Sequence, residues 1–409
     1  MSFENNLEKY AKLAIQVGVN IQKGQVLVLR TPIECADFAR KIVKEAYDKA
    51  AKKVHIEWSD EQCSLIEYLN APDETFSEYP KWTAEKYTDI AREGGTFLTI
   101  YAQNPDLLKD VNPERIANFQ KASATALKEW RKYTSSDKCK WSIISVPTES
   151  WATKVFPNIS TDEAIKKLWD SIFKCTRVDS EDPILAWKNH NKSLEEKTNF
   201  LNENNFKSLH FKSDKTDLVM ELPKDHIWLS GSSKDPKGDD FNANIPTEEI
   251  FSMPHKFKVD GVVYSTKPLV YGGNVIDGFF LEFKDGKIVN FEAKTGYETL
   301  KKLIETDEGS HYLGEVALVP FDSPISNTDI VFFNTLFDEN ASCHFAIGSA
   351  YKNCIKDGVT YKDEELDSYG INDSLTHVDF MIGSSNMNIV GTTYDGEEVK
   401  IFENGNWAF

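Results

Sequence analysis

The chain changes texture once, near residue 205, and that change constrains its fold more than any single motif. Before it, strand-like and helix-like periodicity alternate. Gln25–Arg30 is an apolar run of strand length, Val54–Trp58 alternates as a strand would, and Thr96–Tyr101 and Trp141–Val146 read as further strands. Residues 3–17, Glu34–Ala51 (Phe38, Ile42, Val43 and Ala46 on one face), Pro80–Glu93 and Pro113–Tyr133 have helical spacing. Thr161–Cys175 follows, with Ser160 or Thr161 as N-cap, and then Pro183–Asn204, opened by a proline. After Asn205, short strands dominate: Ser208–Phe211, Asp217–Glu221, Asp260–Ser265, Phe279–Lys284, Ile288–Ala293, Glu315–Val319 and Val399–Glu403. Turns such as Lys284-Asp285-Gly286-Lys287 join them, and one helix, Tyr297–Thr306, interrupts. The pattern predicts an α/β N-terminal domain with a mostly parallel sheet over residues 1–205. Residues 206–409 then form an α+β domain rich in antiparallel strands.

At 409 residues, each domain has enough chain for its own core. A formal net charge of -18 leaves no basic surplus to neutralise phosphates, which argues against nucleic-acid binding. There is no secretory signal pattern and no apolar run of membrane-spanning length, so a cytoplasmic protein is expected. The six cysteines lack a CxxC and read as reduced thiols. The last arginine is Arg177, so the second domain has no bidentate arginine clamp of its own for phosphate or carboxylate. Bound cations are one way to supply positive charge there.

Four segments of the second domain carry candidate chemistry. Asn242-Ala-Asn-Ile-Pro-Thr-Glu-Glu-Ile-Phe holds Glu248 and Glu249. Read alone, it is a helix start capped by Thr247, with two carboxylates complementing the dipole. In Leu313-Gly-Glu-Val-Ala-Leu-Val-Pro, Glu315 alternates with apolar residues, which is unusual for a carboxylate unless it is paired or metal-bound. His344 lies in an apolar, small-residue stretch and read alone is a hydrogen-bonded core histidine; Tyr351 lies two turns on if that stretch is helical. His377 and Asp379 are spaced to share one face of a strand whose other face is Val378, Phe380 and Ile382. Glu248 and Glu249 project in different directions, so only one can face a given metal. Together the segments then offer three carboxylates and two imidazoles, enough for two cations with a shared ligand. The motifs HExxH, GxGxxG, GxxxxGK[ST] and GxSxG are absent.

On Asn244-Ile-Pro-Thr-Glu-Glu-Ile-Phe, Gly314-Glu-Val-Ala-Leu-Val-Pro, His344-Phe-Ala-Ile-Gly-Ser-Ala-Tyr and His377-Val-Asp-Phe-Met-Ile-Gly, the whole chain resembles the thermophilic-type metalloaminopeptidases, the family of aminopeptidase T, aminopeptidase S and PepS. The resemblance implies that Glu249, Glu315, His344, His377 and Asp379 ligate two divalent cations (Zn, Co, Mn or Mg) and that Tyr351 is catalytic. It further implies a homodimer acting on peptide substrates. Glu315 is the candidate bridging ligand and Glu248 a candidate general base. Two alternatives remain open: another two-metal hydrolase such as an amidohydrolase, and a non-catalytic protein with a saturated structural metal site. Residues 1–205 carry no nucleotide fingerprint; covering a cleft or dimerising is the expected role.

Overall fold

A computed structural model describes residues 2–409. They form two compact units, each built from more than one stretch. One takes the chain up to Val111, then Thr125–Ser193 and Gly231–Thr247; the other takes Asn112–Ala124, Leu194–Ser230 and Glu248–Phe409. This differs from a single cut near residue 205. The change at Ser193 falls inside the helix Pro183–Asn204, and short stretches are exchanged on either side of it. Periodicity marks where element types change, but it carries no information about which elements share a core.

The first unit contains the parallel sheet. Lys53–Ser59, Val26–Pro32, Thr96–Ile100 and Trp141–Ile144 lie side by side in that order, every neighbouring pair parallel. Leu27, Val28, Leu29, Phe97 and Leu98 in the two central strands are all buried, as in sheets covered on both faces. Helix Ala36–Asp48 turns Phe38, Ala39, Ile42 and Ala46 inward. Helix Thr161–Cys175 begins with a reciprocal capping box between Ser160 and Glu163. Pro113–Tyr133 is not one helix but two, Pro113–Ala126 and Lys128–Thr134, because Leu127 leaves helical angles (φ -88°, ψ 3°). The helix Glu61–Asn70, which the sequence reading did not anticipate, has no buried residue.

The second unit is antiparallel. Its eight-stranded sheet runs from Lys287–Glu292 through Phe280–Lys284, Val259–Tyr264, Asp217–Glu221, Ser208–Lys212, Asn388–Thr392 and Glu398–Glu403 to Asn406–Trp407. A five-stranded sheet has the order His377–Met381, His344–Gly348, Leu313–Leu318, Ile250–Ser252, Leu229–Ser230, with every pair antiparallel. The two sheets share one core. Leu209, Phe211, Met220, Val263 and Phe283 come from the larger sheet; Ile250, Val316, Leu318, Phe345, Ile347 and Phe380 come from the smaller. Phe211 meets Phe345 edge to face at 5.0 Å. Each such side chain contributes roughly 1.5–3 kcal/mol on burial.

The smaller sheet thus has one face committed to the core. Side chains alternate along a strand, so the other face receives the residues in between. In Glu315-Val-Ala-Leu, His344-Phe-Ala-Ile and His377-Val-Asp-Phe, the intervening residues are Glu315, Ala317, His344, Ala346, His377 and Asp379. Cross-strand pairing of Ala317 with His344 and of Ala346 with both Glu315 and Asp379 gathers them on one patch.

Candidate metal centre

All five residues expected to ligate cations meet on that patch. His344 Nε2 lies 3.2 Å from Glu249 Oε2 and 3.5 Å from Glu315 Oε1. His377 Nε2 lies 3.5 Å from Glu315 Oε2 and 3.5 Å from Asp379 Oδ1. Two donor groups result, Glu249–Glu315–His344 and Glu315–His377–Asp379, each with donor atoms within 4.8 Å of one another. Glu315 belongs to both, and each of its oxygens faces a different histidine.

Backbone carbonyls set the histidine tautomers. His344 Nδ1 lies 2.9 Å from the Glu339 carbonyl oxygen and 3.1 Å from that of Ser342; His377 Nδ1 lies 2.7 Å from that of Ser349. A carbonyl only accepts, so each Nδ1 carries the proton and donates it. In the neutral ring, Nε2 is then a lone pair aimed at carboxylate oxygens. Although His344 Nε2 is close to two carboxylates, it has no hydrogen-bond partner of acceptable geometry, and neither does Asp379 Oδ1. Buried acceptors converging on acceptors require something positive between them. A mixed oxygen and imidazole donor set suits a divalent cation, so the residues fit the metal that the resemblance implies.

In the metal-free protein the ionisations show the same strain. Burial, reinforced by the charges of Asp379 and Glu249, pushes the Glu315 carboxyl up to about 7. Burial disfavours a charged His377, but Asp379 and Glu315 outweigh it and raise the imidazole to about 9. Burial also opposes ionisation of Asp379, yet His377 holds its carboxyl below the ordinary value. Tyr351 is raised well above the usual phenol range by burial and by Glu315, Asp379 and Glu249, so its hydroxyl keeps its proton.

Two local expectations are corrected. Thr247 caps no helix: its hydroxyl is buried without a partner, and Thr247–Glu249 runs into the strand Ile250–Ser252. The N–H of Glu248 instead donates to Asn340 Oδ1 at 2.8 Å. The stretch after His344 is a strand, so Tyr351 follows the strand's end rather than lying along a helix. Gly348, the last strand residue and paired with His377, has φ +111°, and a Cβ there would meet the Thr376 carbonyl oxygen at 2.3 Å. The Tyr351 ring lies 4.8 Å from that of His377. Glu248 is buried next to Glu249 but belongs to neither donor group.

Sequence reasoning missed Glu339 and Asn340. Glu339 is buried, and its carboxyl is raised by burial and by Asp379 and Glu249, which places it in the same field. The Asn340 side chain has no exposed surface; it accepts from Glu248 N–H and donates to the Leu336 carbonyl and to Glu339 Oε1. The available signal was Asp338-Glu-Asn, three polar residues inside the apolar run that leads to His344.

An α/β unit, together with a unit whose sheet gathers two acid–imidazole groups around a shared carboxylate, defines a metal-dependent hydrolase. The family model described as "Thermophilic metalloprotease (M29)" matches residues 3–407, and the chain belongs to that family. It is 52% identical over 408 residues to aminopeptidase AmpS of Bacillus subtilis, with all of both chains covered. It is also 52% identical to aminopeptidase 2 of Geobacillus stearothermophilus, covering all of this chain and 98% of that one. The solved structure of wild-type AmpT from Thermus thermophilus superposes with a TM-score of 0.92 at 39% identity, covering both chains completely.

Proposed function

We propose that the protein releases N-terminal amino acids from peptides at a centre of two divalent cations held by Glu249, Glu315, His344, His377 and Asp379. The protein is a metalloaminopeptidase; the pair of ions and the residue roles are our reading. The observation that carries it is Glu315, whose two oxygens face two histidines with their Nδ1 protons already committed to backbone carbonyls. Charge supports it as well. Glu249, Glu315, Glu339 and Asp379 are four carboxylates in one field, which two divalent cations would neutralise.

Such ions, when bound, supply a water of lowered pKa and polarise the scissile carbonyl. The chain's own residues do the rest. Glu315 is shared between the two donor groups and spaces them. The protonated phenol of Tyr351, beside His377, donates to the oxygen that becomes negative as the carbonyl is attacked. The substrate's free α-amine would be held at the centre, with Glu248 the nearby carboxylate outside both donor groups, which limits cleavage to the N-terminal residue. Glu248 is the candidate base, removing a proton from the attacking water.

The family resemblance implies a homodimer, and we propose that the enzyme acts as one in the cytoplasm. Helix Glu61–Asn70 buries none of its residues and exposes Ile66 and Leu69, surface that association would cover. Among the described residues, no helix is long and apolar enough to cross a membrane.

The deciding experiment compares leucyl-p-nitroanilide with its N-acetyl form, alongside metal analysis. Two metal equivalents per chain and turnover of the free amine alone are expected. Equal turnover of the acetylated substrate would favour a general amidohydrolase, and metal without turnover would favour a structural site.

A further inference from the structure

The donor face of the five-stranded sheet does not end at its charged residues. Cross-strand pairing continues outward from His344 to Ala317, from Ala317 to Phe251, and from Phe251 to Leu229. Directly opposed residues of antiparallel strands point to the same side, so Phe251 and Leu229 stand on the face that carries the donors. Phe251 also follows Glu249 by two positions, roughly 6.6 Å along the chain at the usual rise of an extended strand.

These two side chains differ from the other apolar residues of the sheet. Ile250, Val316, Leu318, Phe345 and Ile347, on the opposite face, are completely buried. Phe251 and Leu229 are only partly buried. They rest on a second, smaller apolar cluster of Met253, Cys354, Ile355, Leu366 and Ile371, to which Tyr351 also packs. The Phe251 ring meets that of Tyr351 edge to face at 6.0 Å, and Tyr351 meets His377 at 4.8 Å. Ala317, the residue between Phe251 and His344, is small and leaves the strip low. A partly exposed apolar pair, Phe251 and Leu229, backed by that cluster, therefore stands on the donor face next to Glu249 and the phenol.

From this geometry we infer that Phe251 and Leu229, walled by the Tyr351 ring, form the surface that receives the side chain of the substrate's N-terminal residue and set a preference for large apolar side chains there. The inference rests on the aminopeptidase reading above. A scissile carbonyl at the donor groups, within reach of Tyr351, has the α-carbon of the departing residue as its immediate neighbour. The side chain on that carbon must lie within one residue's length of the donors. On this face, the apolar ground at that distance is the Phe251–Leu229 strip. Burying a larger side chain against it, with the same groups acting on the carbonyl, raises kcat/KM through the hydrophobic term alone.

The test is the ratio of kcat/KM for leucyl- over alanyl-p-nitroanilide, where the leaving group is constant and only the N-terminal side chain varies. Wild-type turnover of both substrates, lost on chelation, keeps the aminopeptidase reading in place whatever the variants show. Phe251→Ala should lower the ratio about tenfold, the scale of discrimination that a few methylenes allow, with metal content as in the wild type. Phe251→Leu should restore most of the ratio. Leu229→Ala is the second variant should Phe251→Ala fold poorly, and it should move the ratio in the same direction. Equilibrium binding of leucine relative to alanine, measured calorimetrically, should weaken in parallel. An unchanged ratio in folded, metal-replete Phe251→Ala and Leu229→Ala overturns the inference. So does a shift confined to dipeptides differing in their second residue, which would place the strip on the leaving-group side.

Discussion

Tyr351 and Glu315 show how much of the chemistry rests on single side chains. The Tyr351 phenol is surrounded by carboxylates that hold its proton in place, which suits a donor and excludes a base. Tyr351→Phe removes one oxygen and leaves the donor groups untouched. We expect kcat to fall about 10²–10³-fold, the usual cost of losing one oxyanion donor, with metal content unchanged by elemental analysis. Glu315 and His377 make metal uptake pH-dependent. In the metal-free protein their groups titrate near 7 and 9. A cation needs the Glu315 carboxylate and a free His377 Nε2, so at pH 6 it must displace protons from both. His344, whose imidazole is also raised, adds to the same competition, so affinity should climb as pH rises through 7 and on towards 9. Calorimetric titration in two buffers of different ionisation enthalpy should reveal proton release that shrinks over the same interval; pH-independent uptake would contradict it.

At the level of the strand, the site depends on a two-residue period. Glu315–Leu318, His344–Gly348 and His377–Met381 send alternate residues to the core and to the donor face, and a register shift between Leu313 and Glu315 returns Leu313 to the core. Phe345 lies between His344 and Ala346, fully buried, packed edge to face on Phe211 and Phe380. Phe345→Ala should destabilise the protein by about 3–5 kcal/mol, as cavities of that size do, and denaturant unfolding would measure it. His344 follows the same backbone, so metal affinity should weaken as well, although Phe345 touches no donor. A mutant of unchanged stability would mean that the core face does not hold the strand in place.

On the scale of the whole molecule, metal and fold are coupled. Donors come from segments spread between Glu249 and Asp379, and in the unfolded chain nothing holds them together. A ligand that binds only the folded state stabilises it by about 2.7 kcal/mol at a hundred times its dissociation constant. Chelation should therefore lower the melting temperature by several degrees, and adding back divalent metal should restore it; an identical melting curve with and without chelator would deny the coupling. Alternating elements in the first part and short strands in the second were legible in the sequence, because periods of 3.6 and 2 depend only on where each side chain must point. Glu315 in its apolar run and His377-Val-Asp were legible as candidate donors for the same reason. Sequence patterning thus carried the two fold classes and most of the element types, and it singled out candidate donors that look out of place among apolar neighbours. What it leaves open is everything set by contact between distant segments. Those features are the division after Ser193, the burial of Glu339, the Asn340 bond to Glu248 N–H, and the placing of the Tyr351 ring against His377. Only the packed chain decides these, because pairing between strands and closure of a core are long-range events that a local pattern does not encode.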